Sequence, residues 1–328
     1  MKKTVHVILS AALAFAFLLL CACGGNGGET QAPASGTGDE GIAADGSEAV
    51  IREDDGVRRI LMIGNSFCFY YAEDLYGLLS TAGEEAVVAN VYYSGCPLQR
   101  HVLWYENGEA NYEYYVTDRD GRWKKMNASL AYCLDAQDWD VISIQQHFYP
   151  ALTMDQDATM NSCRPAADEL VAIIREHCPE AELCWHETWA YQTGYSRDDT
   201  LGPVTEEIQT TQYQTIRDVS REVAKALDLK LIPCGDAWQA ARSDPSIGDT
   251  LCCDSTRNDG LGDDYHDGNI GGGQYLNACV WFETLTGKSV VGNLFYPAYS
   301  LTRDKMNTLQ RIAHETVTGE KARTGVQN

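Results

Sequence analysis

Four short stretches carry residue types able to perform acyl transfer. Ile60-Leu61-Met62-Ile63 runs into Gly64-Asn65-Ser66, and a second apolar run ends at Tyr93-Ser94-Gly95-Cys96. Ser143-Ile144 runs into Gln145-Gln146-His147, and Asp263-Asp264-Tyr265-His266 precedes Gly271-Gly272-Gly273. A serine hydroxyl becomes a nucleophile once a base takes its proton; a glycine N–H and a carboxamide can hold an oxyanion. An imidazole with a carboxylate three residues before it supplies base and orienter. Each group has a plainer reading as well. Ser66 would cap a helix beginning near Phe69, and Asp263 and His266 would simply face solvent.

Such groups must be brought together by a scaffold. Residues 58–63, 86–93, 140–145, 181–186 and 229–233 are rich in Val, Ile and Leu without polar alternation, as parallel strands buried on both faces are. Between and after them, 71–82, 165–177, 206–227, 237–241, 272–285 and 303–316 read as helices. The alternation predicts an α/β protein: a three-layer α/β/α sandwich with a flavodoxin-like parallel sheet. Residues 112–126 alternate about Asp120-Gly121, predicting a β-hairpin inserted between the second and third parallel strands, near the ligand end. In such a sheet reactive groups gather at the carboxyl ends of strands, where Ser66, Gly95 and the two glutamines would stand.

The combination of motifs resembles the SGNH hydrolases, the GDSL-like esterase superfamily, and more closely a bacterial branch that opens with IGNSF, carries QQ on the third strand and TWAY on the fourth. The resemblance spans about 58–287 and includes "LQRHVLWYENG", "WDVISIQQ", "WHETWAY", "IPCGDAWQAAR" and "YLNACVWFETLTG". It implies that Ser66 is the nucleophile, Gly95 an oxyanion glycine, and His266 with Asp263 the base and its orienter; Asp259 or Asp264 are the alternatives to Asp263. Asn65 stands where the superfamily usually has Asp, and Gln145-Gln146-His147 where it has an asparagine. On a strand the two glutamine side chains point to opposite sides. Gln146, farther along, is expected to face the serine loop and supply an oxyanion donor, and Gln145 to serve the fold; alternatively both amides only tie loops together.

Asn65, His101, Gln145, His186, Trp189 and Tyr191 are the candidate substrate contacts. Indole and phenol faces stack on sugar rings, so His186, Glu187, Trp189 and Tyr191 would wall a cleft or, equally, pack beneath loops; His101 and Trp104 would serve likewise, or His101 would stand on a helix surface without a role. "HETWA" at 186–190 begins like a zinc-protease helix but has Ala190 where the second His belongs, so no metal is expected. "GNIGGGQ" follows the last histidine as a helix entry, and no phosphate-binding loop appears, so no cofactor is expected.

Composition bounds the setting. The 328 residues are 44% hydrophobic and 10% aromatic, ample for a large core. Lys2 and Lys3 precede an apolar run, 5–20, that is short for a spanning helix and suits a secretory signal. The run closes on Leu20-Cys21-Ala22-Cys23, which resembles a bacterial lipoprotein cleavage box, so 1–22 is expected to be removed and Cys23 lipidated, anchoring the chain on the extracytoplasmic face. Residues 23–56, dominated by Gly, Ala, Ser and acids, read as a disordered tether, and 57–328 as the folded domain. The net charge of -22 argues against nucleic acid as a partner. Twelve cysteines in an exported chain permit disulfides, but Cys184 and Cys279 sit in apolar patterns where a free thiol serves as a small hydrophobe. The expectation is a cell-surface serine esterase acting on acyl, chiefly O-acetyl, esters of carbohydrate. Alternatives are a glycan-binding lipoprotein without catalysis, or a lipase- or thioesterase-type acyl hydrolase.

Overall fold

The structure, a computed structural model, describes residues 55–148, 152–195, 201–247, 272–297 and 301–320. The expectations for the signal peptide, Cys23, the tether, Asp259, Asp263, Asp264 and His266 lie outside these residues. All described residues belong to one compact unit, Glu53–Asn328.

The five apolar runs form the strands β1 (Val57–Gly64), β2 (Glu85–Tyr92), β5 (Val141–Ile144), β6 (Glu182–His186) and β7 (Lys230–Ile232), and the hairpin supplies β3 (Tyr112–Asp118) and β4 (Gly121–Ala128). They make one seven-stranded sheet in the order β4-β3-β2-β1-β5-β6-β7. From β2 to β7 all neighbours are parallel; β3 and β4 add to the β2 edge antiparallel. The parallel part has the doubly wound order in which β1 lies between β2 and β5, so the connections that follow β1 and β5 leave in opposite directions and open a crevice at the carboxyl ends of these two strands.

The hairpin corrects one expectation. Tyr92 pairs with Glu113 and Val88 with Thr117, so β3 starts beside the carboxyl end of β2 and runs away from it. The turn, between the paired Asp118 and Gly121, therefore lies at the opposite end from the strand-end loops. Tyr112, Tyr114 and Val116 alternate into the core, while β4 is exposed almost throughout; its Arg122, Lys124 and Lys125 blunt the open edge.

Period-two alternation on β1 feeds both layers. Ile60 and Met62 enter a core with Leu75, Leu78 and Leu79 of α2 (Ala72–Thr81) and Trp281 of α8 (Gly273–Thr286). Leu61 and Ile63 enter the other core, with Val102 of α3 (Leu98–Glu106), Leu170 and Ile174 of α5 (Gln156–His177) and Val219 of α6 (Glu206–Ala226). Each such aliphatic side chain contributes roughly 1.5–3 kcal/mol by leaving water. The remaining helices are the short α1 (Ser66–Phe69), α4 (Leu130–Leu134), α7 (Cys234–Arg242) and α9 (Arg303–Thr318). Helix α5 begins well before the expected 165: Asp155 caps it by accepting from the Ala158 N–H at 2.9 Å, and Pro165 lies inside it. The eight described cysteines are all free and buried. Among the described residues no helix is long and apolar enough to cross a membrane.

Candidate active site

β1 ends at Gly64, which pairs with Tyr92, and Ile63 pairs with Ile144, so the loops bearing Ser66, Gly95 and Gln145-Gln146 leave the sheet at one level. The Gly64 carbonyl also accepts from the Tyr93 N–H at 3.4 Å. Gly64 itself is required by space: a Cβ there would lie 2.8 Å from both Cγ and Cδ of Gln145 and 2.9 Å from Cys68 Sγ. Gly95 is required by conformation, with φ +61° in the left-handed region.

The cap of α1 is Asn65, whose Oδ1 accepts from the Phe67 N–H at 3.0 Å. That relieves Ser66 of the capping role. Ser66 occupies the first position of the helix, 7% exposed, and its Oγ has no hydrogen-bond partner among the described residues. The two nearby thiols are poor competitors as nucleophiles: burial pushes both Cys68 and Cys96 up to about 12.

Side-chain parity decides the glutamines, and it corrects the expectation that Gln146 faces the serine loop. Val141 lies in the core under α2, whereas Ile142 and Ile144 enter the other one, under α3 and α5. Gln145 follows Val141 and reaches the serine loop, its Nε2 donating to Asn65 Oδ1 at 2.7 Å. Gln146 follows Ile144 and sits under the loop after Gly95. Its Oε1 accepts from the Leu98 N–H at 3.1 Å and the His147 N–H at 2.9 Å, while its Nε2 donates to Gln99 Oε1 at 3.4 Å.

Other candidate contacts prove to be supports. His101 is wholly buried, bonded through Nδ1 to the Tyr112 hydroxyl at 2.9 Å and stacked on that ring; burial drops its pKa to about 3. His186 is equally buried and bonds Gln145 Oε1 at 3.0 Å. Asn65, besides its cap, donates from Nδ2 to the Cys96 carbonyl at 3.0 Å. Trp189 and Tyr191 are each 4% exposed: Trp189 stacks on Trp238 at 4.3 Å and packs on Phe67 at 4.7 Å, and Tyr191 stacks on Tyr195 at 4.6 Å. They form a floor beneath the serine helix, not a wall facing sugar. The aromatic surface that does reach solvent beside Gly95 is Tyr93, 37% exposed, set edge-on to Trp104 with Arg100 over both rings at 5.8 and 5.6 Å.

Two residues gain roles that sequence reasoning did not give them. His147, quoted only as the end of a motif, has Nδ1 3.2 Å from the Gly95 carbonyl, so it must donate there, and its Nε2 is 3.5 Å from the Tyr191 hydroxyl. Glu187 is completely buried; its Oε1 accepts from the Asp236 N–H at 2.9 Å in the first turn of α7. Its Oε2 has no hydrogen-bond partner among the described residues, and Arg221 comes no nearer than 4.0 Å. Burial, reinforced by Asp236, raises the Glu187 pKa well above the usual range. A raised carboxyl pKa means the folded state holds a proton that the unfolded state releases. Its contribution is present below the ordinary glutamate pKa, about 4.3, and declines as pH rises from there toward the folded value. Glu187→Gln should therefore match the parent in thermal stability near pH 4 and exceed it at pH 7. A less stable variant at pH 7 would instead mean a carboxylate held by Arg221.

A serine, a left-handed glycine and a pinned carboxamide thus gather where the parallel strand order reverses, which defines a doubly wound α/β protein with a serine presented at its switch point. The chain belongs to the DUF4886 family, a domain of unknown function matched over residues 59–316. It is similar to the crystal structure of a DUF4886 family protein from Bacteroides uniformis, at 30% identity and a TM-score of 0.66 over 80% of this chain and 95% of that one. More distant likenesses are a candidate SGNH hydrolase from Slackia heliotrinireducens, at 19% identity and a TM-score of 0.45 over 70% and 99% of the two chains, and an acetylxylan esterase from Geobacillus stearothermophilus, at 13% identity and 0.42 over 74% and 97%. No curated protein matches the chain.

Proposed function

We propose that this chain is a serine esterase, anchored at the extracytoplasmic face through Cys23, that removes acyl groups, chiefly O-acetyl, from carbohydrate. The observation that carries this reading is the division of labour at the serine loop: Asn65 caps the helix and ties it to the loop after Gly95, and the Ser66 hydroxyl has no hydrogen-bond partner among the described residues. The motif resemblance supplies the remaining roles. Ser66 Oγ attacks the ester carbonyl carbon while His266, oriented by Asp263, takes its proton. The tetrahedral oxyanion is held by the N–H groups of Ser66 and Gly95, since Gln146 turns its amide toward Gln99 and the loop after Gly95. Collapse of that intermediate expels the sugar alcohol, which takes the proton from His266, and water then hydrolyses the acyl-serine. Tyr93, Trp104 and Arg100 beside Gly95 favour a sugar over a lipid chain, since an exposed ring under a guanidinium suits a polar face.

A fluorophosphonate probe tests this directly. Intact-mass analysis of the full chain should show one adduct, mapping to the peptide that bears Ser66 and forming more slowly while excess p-nitrophenyl acetate is present. Absence of both adduct and p-nitrophenyl acetate turnover would leave the glycan-binding reading in its place.

A further inference from the structure

Between the strand ends lies a buried line of polar side chains that the chemistry does not touch: Asn65, Gln145, His186 and Tyr71, none more than 1% exposed. The line begins on backbone groups whose hydrogen-bonding sense cannot change. The Cys96 carbonyl only accepts, so the Asn65 group 3.0 Å from it is the Nδ2 donor. The Phe67 N–H only donates, so the group 3.0 Å from it is the Asn65 oxygen. That oxygen also takes the Gln145 contact at 2.7 Å, so Gln145 presents Nε2 to it and turns Oε1 the other way. Oε1 meets His186 Nδ1 at 3.0 Å, and that nitrogen must therefore carry the proton. Nε2 of His186 is left as the ring's acceptor, and the Tyr71 hydroxyl stands off the ring edge, 3.4 Å from Nδ1 and 3.5 Å from Nε2.

We propose that His186 is a positioning residue: its Nδ1–H holds the Gln145 carboxamide in the one orientation that lets Asn65 tie the Ser66 turn to the Gly95 loop. This deepens the esterase reading and rests on it, because Asn65 joins the two loops whose N–H groups are the proposed oxyanion donors. It caps the helix that Ser66 starts and grips the carbonyl of the residue after Gly95. With the proton on Nε2 instead, a lone pair of His186 would face the Gln145 oxygen. The carboxamide would then turn over and set its oxygen against Asn65 Oδ1. Burial also keeps His186 uncharged, lowering its pKa to about 3. The same buried line accounts for the histidine of the "WHETWAY" motif.

Two measurements on the full chain test this. Long-range proton–nitrogen spectra of the histidine-labelled protein should show, besides His147, whose Nδ1 donates to the Gly95 carbonyl, a ring protonated at Nδ1 and unchanged from about pH 5 to 8, a range in which an ordinary histidine titrates. That signal should be absent from both His186→Asn and His186→Gln. An asparagine amide nitrogen falls near the Nδ1 position and a glutamine one near Nε2. The Asn variant should therefore keep kcat for p-nitrophenyl acetate, whereas the Gln variant should lose roughly tenfold to a hundredfold at unchanged KM, short of the 10²- to 10³-fold for deleting a donor outright. An Nε2-protonated or cationic His186 overturns the proposal, as does an equal loss in the two variants. If the parent hydrolyses no ester, the esterase reading fails while the tautomer still decides the hydrogen-bonded line. An active parent with Nε2 protonated leaves the esterase standing and removes His186 from it.

Discussion

Ser66→Ala is expected to lower kcat for p-nitrophenyl acetate by about 10³-fold or more while leaving the melting temperature within a degree or so of the parent, since a nucleophile acts as a unit with its base and is not replaced by binding alone. The two halves of this result test different things. The kinetic half follows from covalent catalysis, in which no other described group on this loop can take over. Cys68, two residues on, is held as a thiol by burial and hydrogen-bonds the Asn65 carbonyl at 3.5 Å. The stability half follows from the local structure. Among the described residues Ser66 Oγ holds up nothing, because the cap belongs to Asn65 and the neighbouring loop is gripped by Asn65 Nδ2. A serine that merely capped a helix would show the reverse pattern, a stability loss of about 1 kcal/mol with turnover intact. Fluorophosphonate labelling should vanish in the same variant. Full turnover in Ser66→Ala would move the nucleophile elsewhere, and a large stability loss would return Ser66 to a structural role.

Much of the scaffold was legible in the sequence because parallel strands buried on both faces read as unbroken apolar runs. All five such runs became strands, and their ends fell within two residues of the expectation. Less could be read where local signals conflicted. Pro165 imitates the first position of a helix, which hid the turns of α5 before it. Helix α3 carries its polar residues unevenly around Leu98, His101 and Val102, so it gave a motif without a periodic stripe. The hairpin was visible, but which end of the sheet its turn would reach depends on a long-range register that no local pattern encodes. At the site, residue identity was informative and orientation was not. Gln145 and Gln146 could be placed on opposite faces, yet choosing between the faces needed the parity of Val141, Ile142 and Ile144 against the layers, not distance along the strand. The aromatic residues of "WHETWAY" suggested a sugar-facing wall because composition cannot tell a ring that faces solvent from one stacked on Trp238. Glu187 was read with its neighbours as cleft wall or packing beneath loops, and nothing local told which; its burial comes from the turn by which α7 docks against the end of β6.

Gly64→Ala is expected to lose both stability and rate, through a route that a second substitution can expose. The added methyl would stand 2.8 Å from two carbons of Gln145 and 2.9 Å from Cys68 Sγ. Neither neighbour is free to yield: Gln145 is held at one end by Asn65 and at the other by His186, and Cys68 is 1% exposed in the core under α2. Overpacking of this kind costs about 1–3 kcal/mol. For a domain of this size each kcal/mol corresponds to a melting-point drop of roughly 2–4 °C. If Gln145 gives way, Asn65 loses the partner that shares its oxygen with the Phe67 N–H, and the loops of Ser66 and Gly95 lose their common tie. A drop in kcat of about tenfold should accompany the stability loss, less than the 10²- to 10³-fold of deleting a donor because the donors remain and only their placement loosens. Combining Gly64→Ala with Gln145→Ala removes both carbon clashes and leaves only the sulfur. Urea denaturation of the four proteins should then show a double variant that is less unstable than the sum of the singles, with a coupling of about 0.5–3 kcal/mol. Strict additivity would mean that the strain passes through Cys68 or the backbone, and that Gln145 is not the path by which this glycine controls the serine loop.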